Sequence, residues 1–169
     1  QVVTPDERKW LARSANFNYA IAHGDLEQTF QREHPGVTIM WAGALGILQR
    51  YPTFANEAPG SFEWAIEEIE PWLRANSEHS PLDLLIAGRR WIALFVTLTV
   101  IGSFFAMRRL FGEGLAFLAA LYIAADPFFI ANSFELHPDG LLSGLFMLAT
   151  VSFLAWLYGG GQWRYLVFS

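Results

Sequence analysis

The sequence predicts an all-α integral membrane protein, a bundle of transmembrane helices preceded by a helical loop outside the membrane. Of the 169 residues, 53% are apolar and only 16% are charged, and the mean hydropathy is +0.28. Average soluble domains carry about a quarter charged residues. Long apolar runs fill the second half of the chain, and the first half has helical periodicity without the alternation that is typical of strands.

Composition also excludes several classes of protein. A net charge of −5 argues against a nucleic-acid partner, which needs a basic surface. The absence of cysteine excludes a disulfide-stapled domain and a thiolate metal site. Because the chain opens at Gln1 and stops at Ser169 inside a new apolar run, we expect it to be part of a longer protein.

The chemistry of the chain changes near Pro81. Residues 1–83 hold twelve acidic and six basic side chains, whereas residues 84–169 hold four acidic and five basic ones. We therefore divide the chain into an extramembrane region, residues 1–81, and a transmembrane region, residues 82–169.

The first element is a helix with recognisable start and stop signals. Thr4 followed by Pro5 and then Glu7 has the form of a capping box with proline at the first helical position. Gly24 is a typical C-terminal stop, so the helix should run from Pro5 to about His23.

Two further helices are predicted in the extramembrane region. Residues 37–48 are apolar but too few to span a bilayer, which favours an interfacial or re-entrant helix. Residues 51–60 should form a loop. Residues 62–75 have an apolar and an acidic face, which predicts an amphipathic helix with a bend at Pro71.

The transmembrane region contains three apolar runs of membrane-spanning length, and a fourth begins. A spanning helix needs about 20 mostly apolar residues. A large soluble bundle is the less favoured alternative, because every face of these runs is apolar. The predicted spans are residues 82–108, 114–133 and 140–158, with the next starting at 162.

Basic residues in short loops predict the orientation in the membrane. Arg108, Arg109 and Arg164 lie in turns on the same side, which the positive-inside rule assigns to the cytoplasm. Residues 1–81 should then lie on the non-cytoplasmic side, together with the loop at 134–139.

Four charged residues on that outer side have both a structural and a functional interpretation. Asp6 and Glu7 could stabilise the positive end of their helix, or a carboxylate there could act as a base. Arg89 and Arg90 could extend to lipid headgroups, or they could bind a lipid-borne phosphate.

The remaining candidates lie in and after the second span. Asp126, before a proline, is either a helix break with a satisfied carboxylate or a functional group within the membrane. Asp139 could be an N-cap. Together with Glu135 and His137 it could also bind a divalent cation or a phosphate–metal pair.

Taken together, several short motifs distributed along the chain resemble one enzyme family. The chain is similar to bacterial protein-mannosyltransferase-like enzymes, the family 39 glycosyltransferases of the GT-C membrane fold. The motifs that carry the resemblance are Thr4-Pro5-Asp6-Glu7, His34-Pro35-Gly36-Val37, Arg108-Arg109-Leu110-Phe111-Gly112, Asp126-Pro127-Phe128 and Leu136-His137-x-Asp139.

The resemblance implies a reaction and roles for particular residues. A sugar would pass with inversion from a polyprenyl phosphate donor to an acceptor hydroxyl, at the outer face of a bacterial cytoplasmic membrane. Asp6 would be the catalytic base, supported by Glu7. Arg89, with Arg90 and His137, would bind the donor phosphate. Asp139 would be a candidate ligand for a divalent metal ion.

The sequence also allows a second interpretation, in which the chain is not an enzyme. The chain could be a non-catalytic accessory or structural subunit derived from the same fold, held among membrane lipids within a larger membrane-protein assembly. Retention of Asp6, Arg89 and Asp139 together favours the enzyme. A transporter is ranked last, because it predicts paired broken helices and the sequence offers one, at Asp126.

Overall fold

The computed structural model describes residues 3–31, 36–62 and 66–169, and the regular structure in these ranges is entirely helical. The predicted all-α class is therefore confirmed. The elements are α1 (Pro5–His23), a short 3-10 helix (Glu27–Thr29), α2 (Val37–Arg50), α3 (Phe54–Glu57), α4 (Ile66–Asn76), α5 (Pro81–Phe111), α6 (Glu113–Ala125), α7 (Pro127–Ser133), α8 (Pro138–Tyr158) and α9 (Trp163–Leu166).

The chain forms two compact units. One comprises the residues up to Ile92 together with Glu135–Pro138, and the other comprises Ala93–Phe134 together with Asp139–Ser169. Helix α5 contributes residues to both. The division near Pro81, which rests on composition and concerns the membrane boundary, stays a prediction.

Helix α1 begins and ends where the sequence predicts. It follows Thr4 with Pro5 at its first position, and it ends at Gly24. Gly24 has a φ of 70°, the left-handed conformation that glycine adopts without strain, and its N–H donates to the carbonyl of Ile21 at 3.2 Å.

Helices α1 and α2 pack closely and form the core of the first unit. A side chain at Gly43 would collide with Ser14, so the two helices are in contact at this point. Ser14 directs its hydroxyl to the carbonyl of Trp10 at 2.7 Å, which satisfies it inside the core. Five residues at helical spacing on α1 are buried (Trp10, Leu11, Ser14, Phe17 and Ala20).

One segment of the first unit differs from the prediction. The segment predicted as a loop contains the one-turn helix α3. Phe54 is the first residue of α3 and is buried. Its ring centroid lies 5.7 Å from that of Tyr51 and 5.8 Å from that of Trp72. Aromatic packing therefore stabilises this helical turn, which no local sequence pattern predicts. The predicted amphipathic helix is described from Ile66 onwards as α4.

Two helices of the second half, α5 and α8, are long and apolar enough to cross a membrane. Helices α6 and α7 meet the same criterion only as a pair bent by 62°, so the described residues contain two spans, or three if the bent pair is one. The chain is therefore an integral membrane protein. Of the predicted fourth span, the described residues show the short helix α9.

The bend between α6 and α7 has a local explanation. Asp126 separates the helices, and its Oδ1 accepts a hydrogen bond from the backbone N–H of Phe129 at 2.6 Å. Pro127 then occupies the first position of α7, where its missing N–H costs nothing. This geometry is the helix break with a satisfied carboxylate, one of the two interpretations of Asp126.

Candidate active site around Glu7 and Arg89

The first turn of α1 directs two adjacent carboxylates into different environments. The side chain of Asp6 is 60% exposed, and its Oδ1 lies 3.3 Å from Nζ of Lys9. The side chain of Glu7 is completely buried. Consecutive helical residues point about 100° apart, so one helical turn presents one acid to solvent and the other to the interior.

Glu7 is bound by an arginine that lies far away in the sequence. Nε of Arg89 donates to Oε1 of Glu7 at 2.7 Å, and Nη2 donates to Oε2 at 2.7 Å. The arginine side chain is only 13% exposed. This two-point geometry is the strongest way for an arginine to hold a carboxylate, and it fixes the plane of the guanidinium group.

Three more hydrogen bonds reach the same carboxylate. The backbone N–H of Leu136 donates to Oε1 of Glu7 at 2.9 Å. The backbone N–H of Thr4 donates to Oε2 at 3.0 Å, and the Thr4 hydroxyl donates to it at 3.3 Å. Two carboxylate oxygens have about four lone-pair sites, so Glu7 is saturated with donors and poorly suited to accept a proton from a substrate.

The same contacts fix the charge state of Glu7. Burial alone would raise its pKa, but the hydrogen bonds from Arg89, Leu136 and Thr4, together with the positive charge of Arg89, outweigh burial and hold the pKa below its ordinary value. Glu7 is therefore ionised at neutral pH, where it forms an ion pair with Arg89.

The other predicted site residues occupy different positions. Arg90 is exposed, one position beyond Arg89 on α5. His137 is half-buried and follows Leu136 directly. The carboxylate of Glu135 lies near enough to Arg89 to add to the negative charge around it. Asp139 is exposed in the first turn of α8 and belongs to the other compact unit. The motif residues His34 and Pro35 lie outside the described residues.

The predicted metal site receives no support from side-chain placement. Among the residues that the structure describes, no three histidines or carboxylates come close enough together to hold a metal ion. The roles of Glu135, His137 and Asp139 as ligands of a divalent cation stay a prediction.

Sequence reasoning missed two of the residues that donate to Glu7, namely Arg89 and Leu136. The capping box predicts a hydrogen bond between Glu7 and the backbone of Thr4, which is present. The contribution of Leu136 comes from a backbone N–H, which every residue except proline carries, so no residue type marks it. The signal that could have indicated it is an isolated apolar residue between Glu135 and His137, in a loop that should be exposed.

Comparison with known proteins gives one match. The family model described as dolichyl-phosphate-mannose-protein mannosyltransferase matches residues 83–169, a range that includes Arg89, Leu136 and Asp139. The match begins after Asp6 and Glu7, so the resemblance of the first 82 residues stays a prediction. No curated protein and no solved structure matches the chain significantly.

Proposed function

Because this chain belongs to the dolichyl-phosphate-mannose-protein mannosyltransferase family, we propose that it acts in transferring a sugar from a polyprenyl phosphate to an acceptor hydroxyl. Family membership makes it a membrane glycosyltransferase of the mannosyltransferase kind. The donor, the inversion at the sugar and the roles of individual residues are the proposal. The geometry around Glu7 and Arg89 supports the roles of those two residues.

The proposed reaction is a single displacement. The carboxylate of Asp6 removes the proton from the acceptor hydroxyl as the oxygen forms a bond to the anomeric carbon of the sugar. The bond from that carbon to the phosphate oxygen breaks, and the lipid phosphate leaves with the electron pair. Attack opposite the leaving group inverts the anomeric configuration. General-base catalysis of this kind contributes typically about 10²–10⁴-fold to the rate.

Arg89 has the charge and the fixed orientation that the leaving phosphate requires. Negative charge grows on the phosphate as the bond breaks, and a cation that is already in position stabilises it without reorganisation. Glu7 supplies that preorganisation by holding two nitrogens of the guanidinium group. Arg90 and His137, next to Arg89 and Leu136 in sequence, are proposed as further phosphate contacts.

The observation that carries the proposal is the different environment of two adjacent acids in one helical turn. Asp6 is exposed and able to receive a proton, whereas Glu7 is buried and bound to Arg89. An acid in the first turn of a helix can cap the helix or act in catalysis. We assign the two roles to different residues: Glu7 caps α1 and holds Arg89, and Asp6 is the proposed base. No step of this mechanism is assigned to a metal ion.

We also propose that the reaction takes place on the non-cytoplasmic face of a bacterial membrane. Arg108, Arg109 and Arg164 support this orientation through the positive-inside rule. Because the chain has no cysteine, a single cysteine introduced at Lys9 can be labelled selectively. A membrane-impermeant maleimide should react with it in intact cells, and labelling only after lysis would reverse the orientation.

The test of function is sugar transfer by the intact protein in membranes, with radiolabelled polyprenyl phosphate mannose as the donor. Asp6→Asn removes the base but keeps the shape, and it should lower transfer about 10²–10⁴-fold. Its melting temperature and its abundance in the membrane should not change, because Asp6 is exposed.

The matched control is Asp83→Asn, which changes another exposed acid in the first turn of a helix. It should transfer sugar at the wild-type rate. Undiminished transfer by Asp6→Asn would remove Asp6 from the mechanism, and absence of transfer by the wild type would favour an accessory role for the chain.

A further inference from the structure

We propose that Leu136 is a positioning residue for Arg89, and that it acts through both its backbone and its side chain. Its N–H binds Glu7, the partner of Arg89, and its side chain packs against the backbone of α5 at Gly88, the residue before Arg89. The inference rests on the proposed function, because it concerns how the phosphate-binding arginine is held.

The side chain of Leu136 fills the space above two glycines. It is completely buried, although it belongs to a loop between helices. A Cβ at Gly88 would lie 3.3 Å from Cδ1 of Leu136 and 3.5 Å from its Cδ2, and a Cβ at Gly43 would lie 3.8 Å from Cδ2. The isobutyl group therefore contacts α2 and α5 where each helix lacks a side chain.

The backbones of α2 and α5 touch beneath this leucine. A Cβ at Gly46 would lie 2.8 Å from the Cα of Gly88 and would also collide with its backbone nitrogen. A Cβ at Gly88 would lie 3.4 Å from the Cα of Gly43. Gly88 is thus enclosed by α2 on one side and by Leu136 on another, so the backbone of the adjacent Arg89 has little freedom to move.

The two contacts of Leu136 act on opposite ends of the same ion pair. Its side chain limits movement of the α5 backbone that carries Arg89, and its N–H holds Oε1 of Glu7 at 2.9 Å. A displacement of the loop would therefore disturb the guanidinium plane from both directions. Misplacement of a catalytic group by about 1 Å can cost about 100-fold in rate.

The test is a double-mutant cycle between Leu136 and Gly88, read as the kcat of transfer from polyprenyl phosphate mannose. Leu136→Ala leaves a cavity and should lower kcat by up to about 100-fold, with a smaller change in KM for the acceptor. Gly88→Ala pushes on the leucine and should cause a smaller loss. In the double variant the new methyl group enters the space that the leucine vacates, so kcat should exceed the value expected from independent effects.

Two controls separate positioning from general packing. Leu136→Met keeps the volume and the N–H, and it should retain a kcat near the wild-type value. Gly114→Ala adds a methyl group where nothing lies within 4 Å, and it should leave kcat unchanged. If Leu136→Ala does not accumulate in membranes, Leu136→Val replaces it in the cycle with the same expectation.

The outcomes distinguish this inference from the proposed function. Independent effects of the two substitutions, or a wild-type kcat for Leu136→Ala, would overturn the positioning role. If Arg89→Leu also transferred sugar at the wild-type rate, the proposed function itself would fail. Loss of transfer by Arg89→Leu, together with full kcat for Leu136→Ala, would overturn the positioning role alone.

Discussion

The two halves of α5 each carry an arginine that donates through Nε and Nη2, but the acceptors differ. Arg89 binds the buried carboxylate of Glu7 at 2.7 Å through both nitrogens. Arg109, near the other end of the helix, binds the carbonyl oxygen of Gly159 at 3.0 and 2.6 Å. The same two nitrogens therefore form an ion pair in Arg89 and two hydrogen bonds to a neutral carbonyl in Arg109.

The acceptor determines what each arginine can do. The carbonyl of Gly159 directly follows the last residue of α8, where a cation satisfies an unpaired acceptor and complements the helix dipole. This capping role accounts for Arg109 fully. Glu7 already accepts three hydrogen bonds from Thr4 and Leu136, so capping α1 does not require Arg89. The buried pair of Glu7 and Arg89 is better explained by the need to orient the guanidinium group of Arg89.

The largest effect on stability should come from breaking the pair of Glu7 and Arg89. Glu7→Gln leaves the guanidinium without its charged partner, and Arg89→Leu leaves a buried carboxylate. Removing one member of a buried pair costs about 3–5 kcal/mol. Thermal unfolding in detergent should show this loss for each variant.

The control for this prediction is an exposed pair between Arg108 of α5 and Glu113 of α6. Glu113→Gln removes the partner of Arg108, which lies 3.9 Å away, and both side chains are at least half exposed. It should cost less than about 1 kcal/mol. Equal losses for Glu7→Gln and Glu113→Gln would contradict the description of the first pair as buried and tightly held.

A smaller effect is expected at Arg109. Arg109→Met keeps the aliphatic stem but removes both hydrogen bonds to Gly159. Hydrogen bonds that involve a charged group contribute about 1.5–3 kcal/mol, and the exposure of Arg109 favours the lower end of that range. Sugar transfer at a permissive temperature should be unchanged. A folded Arg109→Met variant without transfer would show that the two arginines do not differ as proposed.

The smallest loss of stability should appear on acidification. The folded-state pKa of Glu7 lies below its ordinary value of about 4.5, so its stabilising contribution is complete above that value and is lost as the pH falls through the lowered pKa. Mildly acidic buffer protonates only part of the population, which limits the loss. The melting temperature of the wild type should fall below about pH 4.5 more steeply than that of Glu7→Gln. Parallel pH profiles would exclude Glu7 as the group responsible.

The elements that sequence predicted well are those with local signals. The capping box and Gly24 define both ends of α1, and length and hydropathy identify α5 and α8. Asp126 and Pro127 indicate a break, although the sequence left open whether the carboxylate was functional. In each case the deciding residues are neighbours in the chain.

The arrangement of the site depends on contacts that no local pattern encodes. Glu7, Arg89 and Leu136 meet only because α1, α5 and a loop pack together, with Gly88 allowing the close approach. Sequence offered a structural and a functional interpretation for Glu7 as alternatives. The structure shows the predicted contact with the N-cap Thr4, and it adds a contact with Arg89 that the sequence did not predict.

The most direct test of the account compares Asp6→Asn with Glu7→Gln in the same two assays, sugar transfer in membranes and thermal unfolding in detergent. We expect both variants to lose transfer and only Glu7→Gln to melt at a lower temperature, because Asp6 acts on the acceptor and Glu7 acts through Arg89. Retained transfer by Asp6→Asn, or an unchanged melting temperature for Glu7→Gln, would contradict it.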